Sequence, residues 1–353
     1  MNIQITKTTT PKEKPNLDGI AFGTVFTDHM FLMDYTPEKG WHDARIVPFG
    51  PISLHPATTA LRYGAEIFEG LKAYRRPDGQ VQMFRPIENA RRMNSSADRM
   101  CLPQIPEEDM LQILNTFVKL EESWVPSEPA TSLYLRPFMF GDDEHLGVHT
   151  VHHSVFMLIA SPVGSYYAEG INPVKIMIED QDVRAVKGGT GYTKCGGNYA
   201  ASMRAGDRAA AEGYSQVLWL DGVERKYIEE VGAMNVMFLI NGVVVTPQLT
   251  GSILPGITRK SCIELLREMG YTVEERLLSV EELSQALRDG TLEEAWGCGT
   301  AAVISPIGEL RMGQAHYQVA DGGIGKLSQK LYDTLTSIQW GKAPDTHQWT
   351  CRV

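Results

Sequence analysis

Residues 187 to 203 read KGGTGYTKCGGNYAASM and set one lysine, Lys194, between two clusters of glycine. Glycine lets the backbone turn tightly and leaves room for a flat or bulky group beside it. A lysine withdrawn from water in such a place has a pKa below ~10.4 and becomes a nucleophilic amine that can form a Schiff base. A glycine-rich surface loop with an ordinary lysine explains this stretch equally well when it is taken alone.

The composition of the 353-residue chain narrows the class of protein. Its hydrophobic content of 43% predicts a globular protein, and its length is sufficient for two domains. The formal net charge of −10 argues against nucleic acid or an anionic membrane as a partner. The sequence has no apolar run long enough to span a membrane and no apolar signal core near its N-terminus. We therefore expect a cytoplasmic protein that binds small molecules.

The five cysteines and nine histidines follow no pattern of a metal site or disulfide framework. The cysteines are far apart and form no CxxC pair, and the histidines include the adjacent His152 and His153 but no HExxH motif. Surface or strand positions explain these histidines better than a metal does. The sequence alone therefore predicts no metal ion.

Sequence patterns predict a mixed α/β chain of two domains, each a sheet or pseudo-barrel with flanking helices. The smaller N-terminal domain is expected over 1–165 and the larger C-terminal domain over 176–353. Between them, residues 166–175 belong to a stretch rich in Pro, Gly and Ser that is typical of an interdomain linker.

Local signals predict several individual elements. Leu61, Ala65 and Phe68 have helical spacing, and residues 106–125 form an amphipathic pattern with acids in the first turn. Asp221-Gly222 and Asn241-Gly242 are hairpin signals that predict a β-meander. Ser279 with Glu282 predicts a capping box at the start of a helix, and a final helix is expected over 326–338.

The second half of the chain offers the groups that a flat phosphorylated pyridine cofactor, pyridoxal phosphate, requires. Glu230 at a strand end can hold a protonated pyridine nitrogen, and Tyr199 can hydrogen-bond the ring oxygen. Gly256 precedes a helix, so the N–H groups of Ile257 and Thr258 can face a phosphate. Each feature alone has an ordinary explanation: a solvated charge, a core tyrosine and a common glycine.

Six motifs spread over nearly the whole chain resemble those of branched-chain amino acid aminotransferases, which are class IV, fold type IV, pyridoxal phosphate enzymes. The motifs are FTDHM at 26–30, FEGLKAY at 68–74, SLYLRP at 132–137, GGNYAAS at 196–202, EEVGAMN at 229–235 and LPGITR at 254–259. The resemblance implies a homodimer that transaminates Leu, Ile and Val with 2-oxoglutarate through a pyridoxal phosphate Schiff base, with ping-pong kinetics.

The same resemblance assigns cofactor roles to the residues that match the motifs. The Schiff-base lysine corresponds to Lys194, the acid at the ring nitrogen to Glu230, and the tyrosine at the ring oxygen to Tyr199. The phosphate arginine corresponds to Arg92, which the spacing favours over the neighbouring Arg91. Phosphate is also expected to meet three further positions: the backbone of Ile257 and Thr258 and the hydroxyl of Thr300.

The substrate pocket implied by the resemblance is an apolar box. Arg136 corresponds to the residue that binds the distal carboxylate of glutamate or 2-oxoglutarate. The alternative role for Arg136 is a structural salt bridge at the end of a strand. Leu146 and Val148 are expected to reach over from the partner subunit. The other members of the box are Tyr63, Phe68, Tyr134, Tyr166, Ala301 and Ala302.

Two departures from the family and three competing functions remain at this point. Cys298 stands where several relatives have serine, and the CxxC pair of mammalian relatives is replaced by Ala302 and Ser305. D-amino-acid aminotransferase and aminodeoxychorismate lyase share the lysine and the acid, but those chains are shorter and do not match FEGLKAY. The third alternative is a protein of another class, either a nonenzymatic module that binds phosphate ligands or an ATP-binding protein, although the absence of a P-loop or GxGxxG motif weighs against nucleotides.

Overall fold

The computed structural model describes residues 1–17, 20–164 and 171–353, and the chain forms two compact units. Unit 1 consists of Met1–Ala168, Thr193–Gly196 and Ser337–Val353, and unit 2 of Glu169–Tyr192 and Gly197–Thr336. Each unit is built on one large β-sheet with helices, which agrees with the predicted mixed α/β class. Within the described ranges, no helix has both the length and the apolar character needed to cross a membrane.

Most elements of unit 1 come first along the chain, those of unit 2 follow, and the last strand belongs to unit 1 again. In chain order the elements are β1 (Gln4–Ile5), β2 (His29–Thr36), β3 (Gly40–Pro48), α1 (Ala60–Tyr63), β4 (Glu66–Phe68), β5 (Leu71–Arg75), β6 (Val81–Phe84), α2 (Pro86–Met100), α3 (Glu107–Leu120), β7 (Ser132–Gly141), β8 (Ser154–Val163), β9 (Val174–Glu179), α4 (Gly196–Ala200), α5 (Met203–Ala211), β10 (Gln216–Leu220), β11 (Ile228–Val231), β12 (Asn235–Ile240), β13 (Val243–Pro247), α6 (Ile257–Glu268), β14 (Val273–Arg276), α7 (Val280–Arg288), β15 (Leu292–Gly299), β16 (Val303–Met312), β17 (Ala315–Gln318), α8 (Lys326–Gln339) and β18 (Thr350–Arg352).

The sheet of unit 1 runs in the order β1-β3-β2-β8-β7-β5-β6-β18, with β4 also paired to β7. Its central pair is the long antiparallel ladder of β7 and β8, in which Arg136 lies opposite Ile159. Helix α3 confirms the predicted amphipathic pattern, because its apolar stripe is buried in the core of this unit. The helix ends earlier than expected, at Leu120, and a short 3-10 turn follows over Glu122–Trp124.

The sheet of unit 2 runs in the order β11-β10-β9-β16-β15-β12-β13-β14, with β17 paired to β16. The hairpin predicted at Asn241-Gly242 is confirmed, since Ile240 lies opposite Val243 and both turn residues have positive φ. The N-cap half of the capping box is confirmed, because the Ser279 side chain accepts from the Glu282 N–H at 3.0 Å, whereas the Glu282 carboxylate accepts from Arg276. The final helix, α8, begins at Lys326 as predicted and ends one residue later, at Gln339.

Two local predictions are wrong. The segment with helical spacing from Leu61 to Phe68 forms only the single turn α1, because Gly64 adopts a left-handed conformation with φ of 58° and the chain continues as β4. The predicted β-meander is divided, since β10 pairs with β11 whereas β12 pairs with β13 and β15. A tight turn at Gly232, with φ of 56°, separates β11 from β12.

The predicted C-terminal domain of 176–353 differs from the observed division at its end. The segment Ser337–Val353 belongs to unit 1, because β18 pairs antiparallel with β6. The Gln82 amide also donates to the carbonyl of Ile338 at 3.0 Å, across 256 positions of sequence. Contacts over such separations leave no local pattern. Half of the predicted linker, residues 166–170, lies outside the described residues.

Candidate active site

Lys194 lies in the short segment Thr193–Gly196, which belongs to unit 1. Its N–H donates to the Ser96 hydroxyl on α2 at 3.0 Å, and its carbonyl accepts from the Phe68 N–H at 2.9 Å. The backbone of the lysine is therefore fixed between a helix and a strand. Its Nζ stands 4.8 Å from the centre of the Phe68 ring. The side chain is neither fully buried nor exposed.

Glycine next to Lys194 has a packing reason in the structure. The Gly196 N–H donates to Glu66 Oε1 at 2.5 Å, and a Cβ at this position would lie 2.0 Å from the same oxygen. In unit 2, a Cβ on Gly191 would lie 2.2 Å from the carbonyl oxygen of Ser252. Gly191 is thus required by the protein itself, because the contact is with backbone, whereas a side chain at position 196 would displace the end of Glu66.

Arg92 on α2 is buried and forms a two-pronged ion pair with Glu69. Its Nε and Nη2 donate to the two carboxylate oxygens at 2.7 and 2.8 Å. Asn89 adds a third donor at 2.7 Å. Burial acts to raise the pKa of Glu69, but the charge and hydrogen bonds of Arg92, with smaller contributions from Lys194 and Asn89, leave that pKa below its ordinary value. The neighbouring Arg91 is exposed and pairs with surface acids.

Three predicted substrate residues, Phe68, Tyr134 and Arg136, lie against one another. The Arg136 guanidinium carbon is 4.8 Å from the centre of the Phe68 ring, and its Nη2 donates to the Tyr134 hydroxyl at 3.0 Å. Its Nε is buried and has no hydrogen-bond partner among the described residues. Gly70 of the FEGLKAY motif is required here, because a Cβ would lie 2.0 Å from the Tyr134 hydroxyl.

Tyr63 and the loop between β7 and β8 form a second, exposed group in unit 1. The Tyr63 hydroxyl donates to the Leu146 carbonyl at 2.5 Å. The side chains of Leu146 and Val148 are 73% and 81% exposed, which is unusual for aliphatic residues. The predicted pocket residue Tyr166 lies outside the described residues.

Glu230 and Glu229 on β11 are both buried, so the alternative of a solvated charge is wrong. Glu230 Oε1 accepts from the Leu254 N–H at 2.8 Å, and Oε2 stands 3.1 Å from Arg184 Nε. Glu229 is hydrogen-bonded by Ser252, and burial raises its pKa. Sequence reasoning missed Arg184, which lies ten positions before Lys194 without any motif of its own.

The phosphate positions predicted in unit 2 are the start of α6 and the turn after β15. No side chain caps the N-terminus of α6, so the first N–H groups of the helix, at Ile257 and Thr258, are not used by a cap. Gly256 is required before them, because a Cβ would lie 1.9 Å from Asn235 Oδ1. Thr300, Ala301 and Ala302 form the turn that leads into β16.

Val303, directly after that turn, has a φ of 64°. A β-branched residue with positive φ is a genuine outlier that costs ~1–3 kcal/mol and is concentrated at functional sites. The strain at Val303 therefore marks the turn that contains Thr300 as a candidate functional segment. No pattern in the sequence indicates this strain.

Cys298 on β15 is buried and its thiol faces Cys262 on α6. The hydrogen bond that the Cys262 thiol donates to Cys298 and the burial of the site raise the pKa of Cys262 well above its ordinary value. The cysteine that departs from the family's serine thus packs into the interior of unit 2.

Pyridoxal phosphate carries an aldehyde, a pyridine nitrogen, a ring oxygen and a phosphate, and side chains of matching chemistry occur in the two units, each taken by itself. Unit 1 supplies the Lys194 amine and the buried Arg92 guanidinium. Unit 2 supplies the Glu230 carboxylate, the Tyr199 hydroxyl on α4, and an uncapped helix N-terminus suited to phosphate.

Comparison with known proteins agrees with this chemistry. The sequence model described as Amino-transferase class IV matches residues 66–310. The chain is 52% identical to branched-chain-amino-acid aminotransferase 2 of Bacillus subtilis over 351 residues, covering 99% of this chain and 97% of that protein. It is 50% identical to branched-chain-amino-acid transaminase 1 of the same organism, covering 99% of each.

Solved structures give the same result for the fold. The branched-chain amino acid aminotransferase of Escherichia coli matches with a TM-score of 0.77 at 26% identity, over 92% of this chain and 98% of that one. The branched-chain aminotransferase of Thermoproteus uzoniensis, solved with norvaline, matches with a TM-score of 0.76 at 25% identity, over 92% and 99%. Because the family model covers most of the chain and relatives at about half identity cover nearly all of it, this chain belongs to the class IV aminotransferases, in the branched-chain-amino-acid aminotransferase family.

Proposed function

We propose that the chain transfers the amino group of Leu, Ile and Val to 2-oxoglutarate in a ping-pong reaction. Pyridoxal phosphate is the cofactor of its family. The names of the relatives at 52% and 50% identity support branched-chain amino acids as donors. The neighbour solved with norvaline, a straight-chain aliphatic amino acid, also supports an apolar side-chain pocket.

The observation that carries the proposal is the group around the Phe68 ring. The Lys194 amine and the Arg136 guanidinium both stand 4.8 Å from the centre of this ring. Phe68 therefore contacts both the amine that would react with the substrate, Lys194, and the cation that would bind its second carboxylate, Arg136. The Arg136 Nε, buried without a partner among the described residues, is a donor that a substrate carboxylate would satisfy.

Lys194 is proposed to hold the cofactor through a Schiff base at Nζ. When bound, pyridoxal phosphate supplies an electron sink for the electrons of the broken Cα–H bond. Once the amino group of the donor has displaced it, the freed Lys194 amine would take the proton from Cα of the donor and pass it to the cofactor. In the second half-reaction it would take that proton back and give it to Cα of the acceptor. The fixed backbone of this residue supports such repeated proton transfer, because the amine returns to the same place.

The remaining cofactor roles follow the predicted assignment. Glu230 holds the protonated ring nitrogen and Tyr199 the ring oxygen, and the carboxylate of Glu230 is oriented by the Leu254 N–H. Arg92 is proposed as the phosphate arginine because it is buried whereas Arg91 is exposed. The other phosphate donors are the backbone of Ile257 and Thr258 and the hydroxyl of Thr300.

The apolar donor pocket is proposed to be lined by the residues that the family resemblance assigns to it, with a loop from a second copy. The exposure of Leu146 and Val148 supports the partner role, because a homodimer would cover these aliphatic side chains. We further propose that this homodimer works in the cytoplasm. The other members of the pocket are Tyr63, Phe68, Tyr134, Tyr166, Ala301 and Ala302.

A half-reaction tests the function directly. Holoenzyme mixed with L-leucine alone should release one equivalent of branched 2-oxo acid per active site, and steady-state plots with 2-oxoglutarate should be parallel lines. The Lys194→Ala variant should lose both the visible absorbance of the bound cofactor and turnover. Amino transfer from D-alanine at a rate above that from L-leucine would instead favour the D-amino-acid class.

Arg136→Leu tests the dual-substrate site. A charged hydrogen bond is worth ~1.5–3 kcal/mol, so the KM for 2-oxoglutarate should rise ~10- to 100-fold. The KM for leucine should change much less, which provides an internal control. An equal rise in both constants would contradict the assigned role.

The phosphate role of Arg92 is tested by cofactor binding. Arg92→Ala should weaken the binding of pyridoxal phosphate, whereas Arg91→Ala, a substitution of its exposed neighbour, should leave that binding unchanged.

A further inference from the structure

The loop between β7 and β8 gathers a set of metal-ligating side chains outside the catalytic residues. Residues 142–153 contain four histidines and three acidic residues. Asp143, His149 and His152 each offer one ligand atom, and these atoms lie within 4.8 Å of one another. The sequence alone favours surface positions for the histidines, because the three residues follow no recognised metal-binding spacing.

Asp143 is held in a fixed orientation. Its side chain is buried, Oδ2 accepts from the His152 N–H at 2.9 Å, and Oδ1 accepts from the His153 N–H at 3.2 Å. Its main-chain carbonyl accepts from both the N–H and the hydroxyl of Thr59. Each carboxylate oxygen has two lone pairs, so one on each remains for a cation.

His149 is arranged as a metal-binding imidazole. Its Nδ1 lies 2.8 Å from the Gly147 carbonyl, to which it can donate, and that bond places the free electron pair on Nε2. Nε2 faces Asp143 Oδ2 at 3.7 Å, beyond hydrogen-bond distance. Two ligands of a tetrahedral ion with bonds of ~2.1 Å are about 3.4 Å apart, so this gap matches a pair that shares a cation.

We propose that Asp143, His149 and His152 bind one divalent cation of the zinc class. Two imidazoles and one carboxylate are ligands that Zn²⁺ accepts, with a fourth position for water or for His153. His153 Nδ1 lies 3.6 Å from Asp143 Oδ1. A hard cation such as Mg²⁺ fits poorly, because it prefers oxygen ligands.

The ligands enclose the segment that carries Leu146 and Val148. A cation bound between Asp143 and His149 would hold the two ends of this segment together. The Arg62 side chain and Tyr63 already fasten its middle, through the carbonyls of His145 and Leu146. Any effect of the ion on substrate selection rests on the proposed function, in which this segment reaches a partner's pocket, whereas metal binding itself does not.

The test uses tag-free holoenzyme that has been treated with a chelator and then titrated with ZnCl₂ in a calorimeter. We expect one equivalent of zinc per chain. Loss of a second-shell group costs ~10- to 100-fold in affinity, so the loss of ligands in His149→Ala/His152→Ala should weaken binding at least ~100-fold. His316→Ala, an exposed histidine of unit 2, is the control and should bind zinc like the wild type.

Asp143→Asn provides a second variant that keeps the shape of the side chain and, through its one amide oxygen, one of the two bonds from the His152 and His153 N–H groups. It should weaken zinc binding while the folded circular dichroism spectrum is retained. If the wild type takes up no more zinc than the double histidine variant, the cluster is only a hydrogen-bonded group and the proposal is wrong. The titration contains no amino acid or oxo acid, so its failure leaves the proposed transamination untouched, and the reverse also holds.

Discussion

The guanidinium of Arg92 and the carboxylate of Glu69 are both withdrawn from water, and each depends on the other. Glu69 is 1% exposed and Arg92 8%, so neither charge can be solvated when its partner is lost. The desolvation cost of a buried pair is balanced only by good geometry, which the two bonds below 2.9 Å supply. The FEGLKAY motif thus contributes a residue that orients the proposed phosphate arginine.

Glu69→Gln should lower the free energy of unfolding by about 3 kcal/mol, because it leaves the Arg92 charge buried without a counter-charge. Urea unfolding of the two proteins measures the difference. Glu88→Gln, which removes one of the two acids that pair with the exposed Arg91, is the control and should cost less than ~1 kcal/mol. Equal effects of the two variants would contradict the importance of burial.

The same pair gives a pH dependence with a definite sign. The pKa of Glu69 is lowered on folding, so its contribution to stability is present above the unfolded value of ~4.3 and is lost as the pH falls through the folded pKa. The difference in stability between wild type and Glu69→Gln should therefore shrink in acid below ~4.3.

Lys72 on β5 is a buried lysine, and desolvation lowers its pKa from 10.5 to about 8. The unfolded chain binds the extra proton between about 8 and ~10.4, so stability should rise with pH across that window, by ~3 kcal/mol in total. Lys72→Met removes the titrating group. We expect the free energy of unfolding of this variant, measured by urea at several alkaline pH values, to lack the ~3 kcal/mol rise with pH that the wild type shows. Parallel curves would contradict the assigned pKa.

Helix α7 is an element whose start depends on one hydrogen bond, from the Glu282 N–H to the Ser279 hydroxyl. Ser279→Ala should lower the free energy of unfolding by ~1 kcal/mol, the usual effect of losing a cap. Ser284→Ala lies on the same helix outside the cap and should change stability by less than ~0.5 kcal/mol. Chemical denaturation of both variants decides between a cap that stabilises and one that does not.

Elements of this kind were predictable because their determinants are local. The Ser279 cap and the Asn241-Gly242 turn each lie within a few residues, and both are confirmed. The helix expected through Phe68 failed because pairing of β4 with β7 outweighs a weak periodicity after Gly64. Local propensity is routinely overridden where a strand has a distant partner.

The candidate site shows the same division between local and distant determinants. Motifs single out Lys194, Glu230 and the glycine before α6, since these lie in continuous stretches. The partners of those residues come from elsewhere in the sequence, as Ser96 does for Lys194 and Arg184 does for Glu230. Burial of a charge depends on such distant neighbours, so it could not be read from the stretch itself.

At the level of the whole chain, the C-terminal segment returns to unit 1. A division of the sequence into two consecutive domains does not predict this return. β18 occupies the edge beyond β6, with Thr350 opposite Phe84. Trp349 is 7% exposed and lies against two residues of unit 1, edge-on to Phe84 at 5.7 Å and under Arg85 at 4.7 Å. The last residues therefore contribute both a ladder and a buried aromatic side chain to the first unit.

A chain that ends at residue 344 should consequently destabilise unit 1 and spare unit 2. Burial of the Trp349 side chain and the lost ladder together contribute about 3 kcal/mol or more. Hydrogen exchange followed by mass spectrometry should show faster exchange in peptides that cover β6 and β5, and unchanged exchange in β10 and β12. Trp349→Ala, which keeps the ladder, should give a smaller effect in the same peptides. Faster exchange confined to peptides of unit 2 would instead favour a C-terminal domain that extends to Val353.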